Sequence, residues 1–458
     1  MTSSSAKLPA APPGSKRLWL AIALLAYNLA LLLLSPALVV WLLWRAAVPR
    51  KGPGNLLHRF GFVPRPPAEA APRVWLHAVS AGEMAALKPV SDALRESLPS
   101  AYLAVSTVTS TGMSVGRRGG QSADALFYLP FDLLPTTLLA LWRVRPNLLV
   151  VAEKELWPNL LGLARLLGAE VLVVNGRVSD RMMRRARLGA PVVRWLYSLP
   201  RHFCVQSPED AGRLAQLGVP DSRVSVPGNT KVDAMVEPDR EAEARLRQDL
   251  GVAEGDVWLV AGSTHAGEEE LVLEAFAVIL DAMPEARLLL APRHVERVPA
   301  VLEMMARRSL ECTRRSQCSA AESAGRGLCA PPSQQVVVLD TMGELRAAYG
   351  FGTAGFVGGT LVPVGGHNLL EPVASGRAVL FGPHTENCAD VADLVLSAGI
   401  GVRVEGGRAL AVEFLRIAKD PARQRDLARR GQALMEQQRG AARRCAHVAM
   451  ALLQEKSA

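Results

Sequence analysis

The sequence predicts an α/β protein built from two doubly wound domains, with an N-terminal membrane-anchoring helix. Three observations carry this. Short apolar runs alternate with segments that read as helices through most of residues 73–376, and buried apolar strands alternating with helices imply a parallel sheet covered on both faces. The alternation breaks near residues 227–256 and then restarts, in a chain of 458 residues, too long for one small core. Residues 18–44 carry no charge, a run of roughly 27 residues where about 20 cross a bilayer.

Residues 1–17 are small and polar with Lys7, Lys16 and Arg17, and are expected to be disordered. The apolar run that follows is too long for a signal-peptide core. Trp41 and Trp44 suit a membrane interface, and Arg45, Arg50, Lys51 and Arg59 place the following chain on the cytoplasmic side, with Lys16 and Arg17 opposing. Pro36 interrupts the run and leaves open a buried or interface-lying helix. Residues 52–72 read as a Gly- and Pro-rich linker. Strands are predicted at 74–79, 101–107, 146–152, 170–174 and 202–205, and helices at 82–98 and 156–167. After a loop at 227–231, a charged helix covers 239–250. Strands follow at 257–261, 287–291 and 336–340, with a helix at 268–281 between them. Residues 312–334 lack periodicity and read as a surface insertion. The division expected is 1–50 for tail and anchor, 51–235 for the first domain, and 236–458 for the second with the C-terminal helices. A ligand cleft is expected between the domains.

A net charge of +9 suggests an anionic partner: membrane lipid, nucleic acid or a phosphorylated substrate. Zinc-finger spacing and aromatic interleaving of the basic residues are both missing, so no nucleic acid is expected. The six cysteines form no CxxC pair and read as free thiols in a reducing compartment. GxxxxGK[ST] is absent, the GxGxxG match at Gly350–Gly355 precedes an apolar strand instead of following one, and the GxSxG match at Gly112–Gly116 lies beyond the strand end instead of at its tip, which disfavours redox-cofactor, ATPase and serine-hydrolase chemistry. Histidine spacing suggests no metal centre.

The richest stretch is residues 356–372: an apolar strand, two Gly-Gly pairs, then His367, Asn368, Leu369, Leu370 and Glu371 opening a helix. Outward first-turn N–H groups and glycines suit an anion, with Gly366 at the phosphate and Glu371 on ribose hydroxyls. The alternative is an ordinary βα turn with Glu371 as a dipole partner. Other polar groups also fall at strand ends. Glu83 follows a strand and opens a helix, as a general base or as a helix-start carboxylate. Glu153, Lys154 and Glu155 follow a very apolar strand. Arg181, Arg184, Arg185 and Arg187 form a basic patch, either a solvated face or a contact for phosphates or anionic lipid. Ser263 and its neighbours suit a phosphate or serve as ordinary caps. Pro292 and Arg293 end one strand, where the guanidinium can fork onto a phosphate or carboxylate. Met342, Gly343 and Glu344 follow another.

Six of these stretches, in order, resemble the 3-deoxy-D-manno-octulosonic acid (Kdo) transferases, which add Kdo to the lipid A precursor. They are Val79 to Glu83, Glu153 to Asn159, Gly228 to Lys231, Gly262 to Glu269, Pro292 to His294 and Gly358 to Pro372. The resemblance implies a B-type glycosyltransferase fold of two Rossmann-like domains, inverting and metal-independent, without a cofactor, anchored in the cell inner membrane and facing the cytoplasm. It implies that Glu83 is the general base, with Glu153 and Lys231 stabilising the transition state. It further implies that Pro292, Arg293, Met342, Gly343, Glu344, Asn368, Leu369, Leu370 and Glu371 bind the CMP of CMP-Kdo. The partners implied are CMP-Kdo, the lipid A precursor and an anionic membrane surface. Lys154 stands where the family usually has Thr, and Asn175-Gly176-Arg177 replaces the family's Asn-Ala-Arg. The alternatives are a B-type glycosyltransferase using a UDP-sugar, and a non-catalytic membrane-bound protein that binds a sugar nucleotide or lipid.

Overall fold

The computed structural model describes residues 18, 20–33, 55–118, 122–178, 182–184, 190–234, 239–318 and 335–457. The chain forms two compact units, Met1–Ala234 together with Gln438–Ala458, and Met235–Gln437.

The first unit is built on strands β1 (Arg73–His77), β2 (Tyr102–Thr107), β3 (Ala125–Tyr128), β4 (Leu148–Ala152), β5 (Glu170–Gly176), β6 (His202–Val205) and β7 (Val224–Ser225). They pair in parallel in the order β3-β2-β1-β4-β5-β6-β7. Every residue of β4 is buried because helices cover both faces of the sheet. Alternate side chains feed two cores. Val74 and Leu76 pack with the helix Ala81–Ser97, while Trp75, Leu149 and Val151 pack with the helix Pro158–Leu166. The strand order reverses between β1 and β4, and such a switch point opens a crevice at the C-terminal strand ends.

The second unit holds β8 (Trp258–Thr264), β9 (Arg287–Pro292), β10 (Cys312–Arg314), β11 (Val336–Val338), β12 (Ala354–Val357), β13 (Ala378–Phe381) and β14 (Gly401–Arg403). Their order is β10-β11-β9-β8-β12-β13-β14, all parallel, with the switch between β8 and β12.

Several elements differ from the sequence reading. The C-terminal helix Ala441–Ser457, grouped by sequence with residues 236–458, completes the first unit. Its Ala442, Cys445, Ala446, Ala449 and Leu452 recur at helical spacing and fill the core beside Val74 and Leu76. Asp233 accepts from the backbone N–H groups of Gly440 (2.7 Å) and Ala442 (2.6 Å), which fixes the start of this helix. The 52–72 linker is structured from residue 55 onward. Arg59, counted by sequence among the membrane-flanking cations, is buried and donates to the carbonyls of Leu129 and Val108. Cys312–Arg314, inside the supposed insertion, is an edge strand paired with β11, and residues 319–334 lie outside the described residues. Cys204, Cys312, Cys388 and Cys445 are free thiols, whereas Cys318 is disulfide-bonded.

Of the expected anchor, residues 20–33 are described as helix, and 34–44 lie outside the described residues. Among the described residues no helix is long and apolar enough to cross a membrane. One face of this helix docks on the first unit. Leu24 is buried in its core, and Asn28 and Asn159 exchange side-chain hydrogen bonds of 2.6 and 3.0 Å. The opposite face exposes Leu18, Ile22, Leu25, Leu29, Leu32 and Leu33.

Candidate functional site

In the first unit the polar residues gather at the β1/β4 switch point. Ser80 caps the helix Ala81–Ser97 and its Oγ accepts from the Glu83 N–H at 3.3 Å. Glu83 reaches back: Oε2 accepts from the Val79 N–H (2.8 Å) and Oε1 from the Ser80 hydroxyl (3.1 Å). Glu83 is therefore a capping-box residue, as its alternative reading allowed. It is also only 8% exposed, and each carboxylate oxygen keeps a second lone pair. Burial raises its pKa, and the charge of Glu153 adds to this. The Val79 N–H, Ser80 and Lys154 oppose it. The result is a held carboxyl with more than ordinary basicity.

Glu153 follows β4 in the left-handed region, with φ of 55°, a conformation that costs a non-glycine residue about 1 kcal/mol or more. It points a carboxylate at Lys231, whose Nζ lies 3.0 Å from Glu153 Oε1. Lys231 is placed by a chain of polar contacts. Asn229 Oδ1 accepts from the Lys231 N–H (3.0 Å), the Asn229 N–H donates to Gln438 (2.7 Å), and the Thr230 N–H donates to Asn175 Oδ1 (3.0 Å). Asn175 is itself left-handed, at a register shift between β5 and β6. Glu155 completes the group. Burial, then the charge of Glu83, push its pKa up to about 7, with Glu153 adding and Lys154 opposing. Of the basic patch, Arg184 is exposed, while Arg181, Arg185 and Arg187 lie outside the described residues.

In the second unit the loops after β8 and β12 meet at the switch point, but not as an open anion hole. Glu268 is fully buried, and its carboxylate accepts from four backbone N–H groups: His265 (3.0 Å), Gly359 (2.6 Å), Thr360 (2.9 Å) and Leu361 (2.8 Å). Four N–H groups of the loops that the sequence reads as an anion site are thus taken by an internal carboxylate. Gly358 is glycine because a Cβ there would collide with the Ser263 carbonyl. The Gly366 N–H donates to the Gly359 carbonyl at 2.7 Å, which removes Gly366 as a phosphate donor; with φ of 83°, it serves the turn. The helix expected after Asn368 is one short element, Leu370–Ala374, too brief for a strong dipole. Leu369 and Leu370 are buried in the core, so only their backbone could serve a ligand. Ser263 sits left-handed (φ 55°) at a register shift between β8 and β9, part-exposed, as bulges beside sites often re-aim a side chain.

What remains exposed beside this loop is cationic and histidine-rich. Arg293, at the end of β9, is exposed and has no side-chain hydrogen bond or ion pair among the described residues. His265 and His367 approach nitrogen to nitrogen, Nε2 to Nε2 at 2.7 Å, and His294 packs edge-on to His265 at 5.7 Å. Burial, then Arg293, His265 and His294, push the His367 pKa down to about 4. Glu371 is raised by burial, against Arg346, Asn368 and Arg293. Asn368 Nδ2 lies 3.4 Å from Glu371 Oε1. Arg293, His367, Asn368 and Glu371 are thus brought together. Met342 and Gly343 form an exposed loop after β11, while the Glu344 carboxylate accepts from Arg315 (3.1 Å) and Thr341. Pro292 is buried as the last residue of β9. Among the described residues no group of three or more His, Cys, Asp or Glu is placed to hold a metal ion.

The family model described as 3-deoxy-D-manno-octulosonic-acid transferase (kdotransferase) matches residues 54–234. A 3-deoxy-D-manno-octulosonic acid transferase from Bordetella pertussis is 33% identical over 435 residues, covering 91% of this chain and 96% of that protein. The chain belongs to the Kdo transferase family. A Haemophilus influenzae Kdo transferase is 31% identical over 339 residues, covering 74% of this chain and 77% of that one. Among solved structures, a UDP-GlcNAc 2-epimerase from Neisseria meningitidis bound to UDP-GlcNAc matches with a TM-score of 0.53 and 11% identity. It covers 84% of this chain and all 100% of that one. That likeness concerns the fold alone: two Rossmann-like domains of the B glycosyltransferase type.

In this Kdo transferase family member the sequence motifs place the candidate residues at strand ends, but they do not reveal the environment of four: Glu155, Glu268, His265 and His367. Glu155 lies inside a quoted motif, yet nothing in sequence distinguishes its buried carboxyl from that of Glu153. Glu268 lies in a quoted motif, but the sequence does not show that its carboxylate turns inward to the loop after β12. His265 and His367 are 102 positions apart, so only the β8/β12 neighbourhood brings them together.

Proposed function

We propose that this chain is an inverting glycosyltransferase that moves Kdo from CMP-Kdo to a hydroxyl of the lipid A precursor in lipopolysaccharide synthesis. Glu83 takes the proton of the acceptor hydroxyl. The oxygen then attacks the anomeric carbon of Kdo, and CMP leaves with the electron pair of the broken bond. Glu153 and Lys231 stabilise the charge that develops, a role suited to a preorganised pair. Arg293 meets the donor phosphate, Glu371 and Asn368 the ribose, and the Met342–Glu344 loop and Pro292 border the nucleotide. The single observation that carries this reading is the buried, proton-avid Glu83 beside the 3.0 Å Lys231–Glu153 ion pair in a Kdo transferase chain.

The same reading places the enzyme at the cytoplasmic face of the inner membrane. Its support is the uncharged run at 18–44 and the outward apolar face of residues 18–33, which suits contact with lipid, including an anionic membrane surface. The test of the reaction is a transfer assay with CMP-Kdo generated in place and a tetraacylated lipid A precursor, read by mass spectrometry. A product heavier by whole Kdo units is expected. Folded protein that transfers nothing from CMP-Kdo but accepts a UDP-sugar would overturn the donor assignment.

A further inference from the structure

The His265–His367 contact has a definite geometry. The ring planes are inclined by 6°, the centroids are 5.0 Å apart and the Nε2 atoms 2.7 Å apart. The two separations differ by two ring radii, so both nitrogens lie on the line joining the centroids. The rings are coplanar and meet head-on. At this distance one nitrogen must carry a hydrogen and the other must offer its lone pair. The pair therefore holds one proton between the two nitrogens. A second would set two N–H groups against each other.

The surroundings reinforce this. Arg293, Arg297 and His294 face His265, and Arg293 and His294 also face His367, all of which disfavour further positive charge. Glu268 favours it, but its carboxylate is already committed to the four loop N–H groups. Both histidines are part-exposed, and the charge of the exposed Arg293 acts on each of them. An anion arriving at Arg293 supplies the negative charge that the cluster lacks. It would stabilise a second proton on the pair and attract the N–H groups away from each other.

We propose that His265 and His367 form a proton-coupled clamp for the donor phosphate. When the nucleotide binds, the pair takes up one proton from solvent, the head-on bond opens, and both Nε2–H groups turn to the phosphate beside Arg293. This rests on the reading of Arg293 and Asn368–Glu371 as the nucleotide site. It adds the donors that the phosphate needs, since the loop N–H groups are occupied by Glu268. It also sets a sign: the complex holds more protons than the free protein, so affinity rises as pH falls.

The experiment is calorimetric titration of the whole protein with CMP at about pH 7, in two buffers of different ionisation heat. Near that pH the CMP phosphate, with its second pKa of about 6, is mostly dianionic and can only release protons on meeting cations. Net uptake therefore reports the protein. The expected result is uptake of roughly half to one proton per CMP. That uptake should vanish in the His265→Gln/His367→Gln double variant, and CMP affinity should climb as the pH is lowered in the wild type but not in that variant. Tight CMP binding with no uptake in the wild type overturns the clamp and leaves the nucleotide site standing. Uptake that persists in the folded double variant also overturns it. Failure of the folded wild type to bind CMP overturns the clamp and the nucleotide-site reading together.

Discussion

At the residue scale the first unit concentrates carboxyls where folding does not want them. Folding raises the Glu155 pKa from the usual 4.5 to about 7. The protonated form is the one the fold favours. Its contribution is complete below about 4.5 and is lost as pH rises through about 7. Glu155→Gln should therefore stabilise the protein by about 1–3 kcal/mol at pH 8 and by little at pH 4, read by urea unfolding at both pH values. Equal effects at the two would show that Glu155 is not held in a raised state. A position kept at such a cost suggests function, and the raised Glu83 beside it couples to it electrostatically. The charge of Glu83 is one cause of the raised Glu155 pKa, so Glu83→Gln should lower the pH at which Glu155 titrates, read by NMR of its side chain. Lys231→Met leaves Glu153 without its cation. A fall in transfer of about 100-fold or more is expected, with CMP affinity unchanged. Equal loss of both would assign Lys231 to general folding instead. The candidate carboxylates could be read in the sequence because they sit at strand ends in short polar runs. Their ranking could not, because burial and left-handed backbone at Glu153 are properties of the packed structure.

At the element scale the instructive case is the loop after β12. Its glycines correctly indicate a close approach between strand ends, yet the anion that the backbone N–H groups receive is Glu268 from the same unit. Sequence cannot distinguish a loop that awaits a ligand from one already satisfied by a carboxylate 91 to 93 positions away. The consequence is measurable. Glu268→Gln turns one acceptor oxygen into a donor facing N–H groups in a dry site, and should destabilise the second unit by about 2–4 kcal/mol. A midpoint of urea unfolding unchanged from wild type would contradict the role assigned here. Central strands such as β4 and β8 were legible as unbroken apolar runs. The edge strands β3, β7, β10 and β14 were not, since a few residues paired on one side carry too little pattern.

At the scale of the whole molecule, the two doubly wound units were legible from the alternation of strands and helices, whereas the strand order and its switch points were not. The return of the C-terminal helix to the first unit was not. Its alanines and leucines would suit any core, and only the partner surface, with Asp233 at its start, determines which. Deleting residues 441–457 should remove hydrogen-exchange protection from β1 and β4 while leaving that of β8 and β9 intact. Uniform loss would mean the two units do not unfold separately. The central claim is that Glu83 supplies base catalysis in Kdo transfer while the nucleotide is held elsewhere. It is tested most directly by measuring, on one preparation of Glu83→Gln, both the rate of Kdo transfer from CMP-Kdo and the affinity for CMP. The account predicts a rate lowered by about 100- to 10,000-fold with CMP affinity intact; a variant that transfers Kdo at the wild-type rate would contradict it.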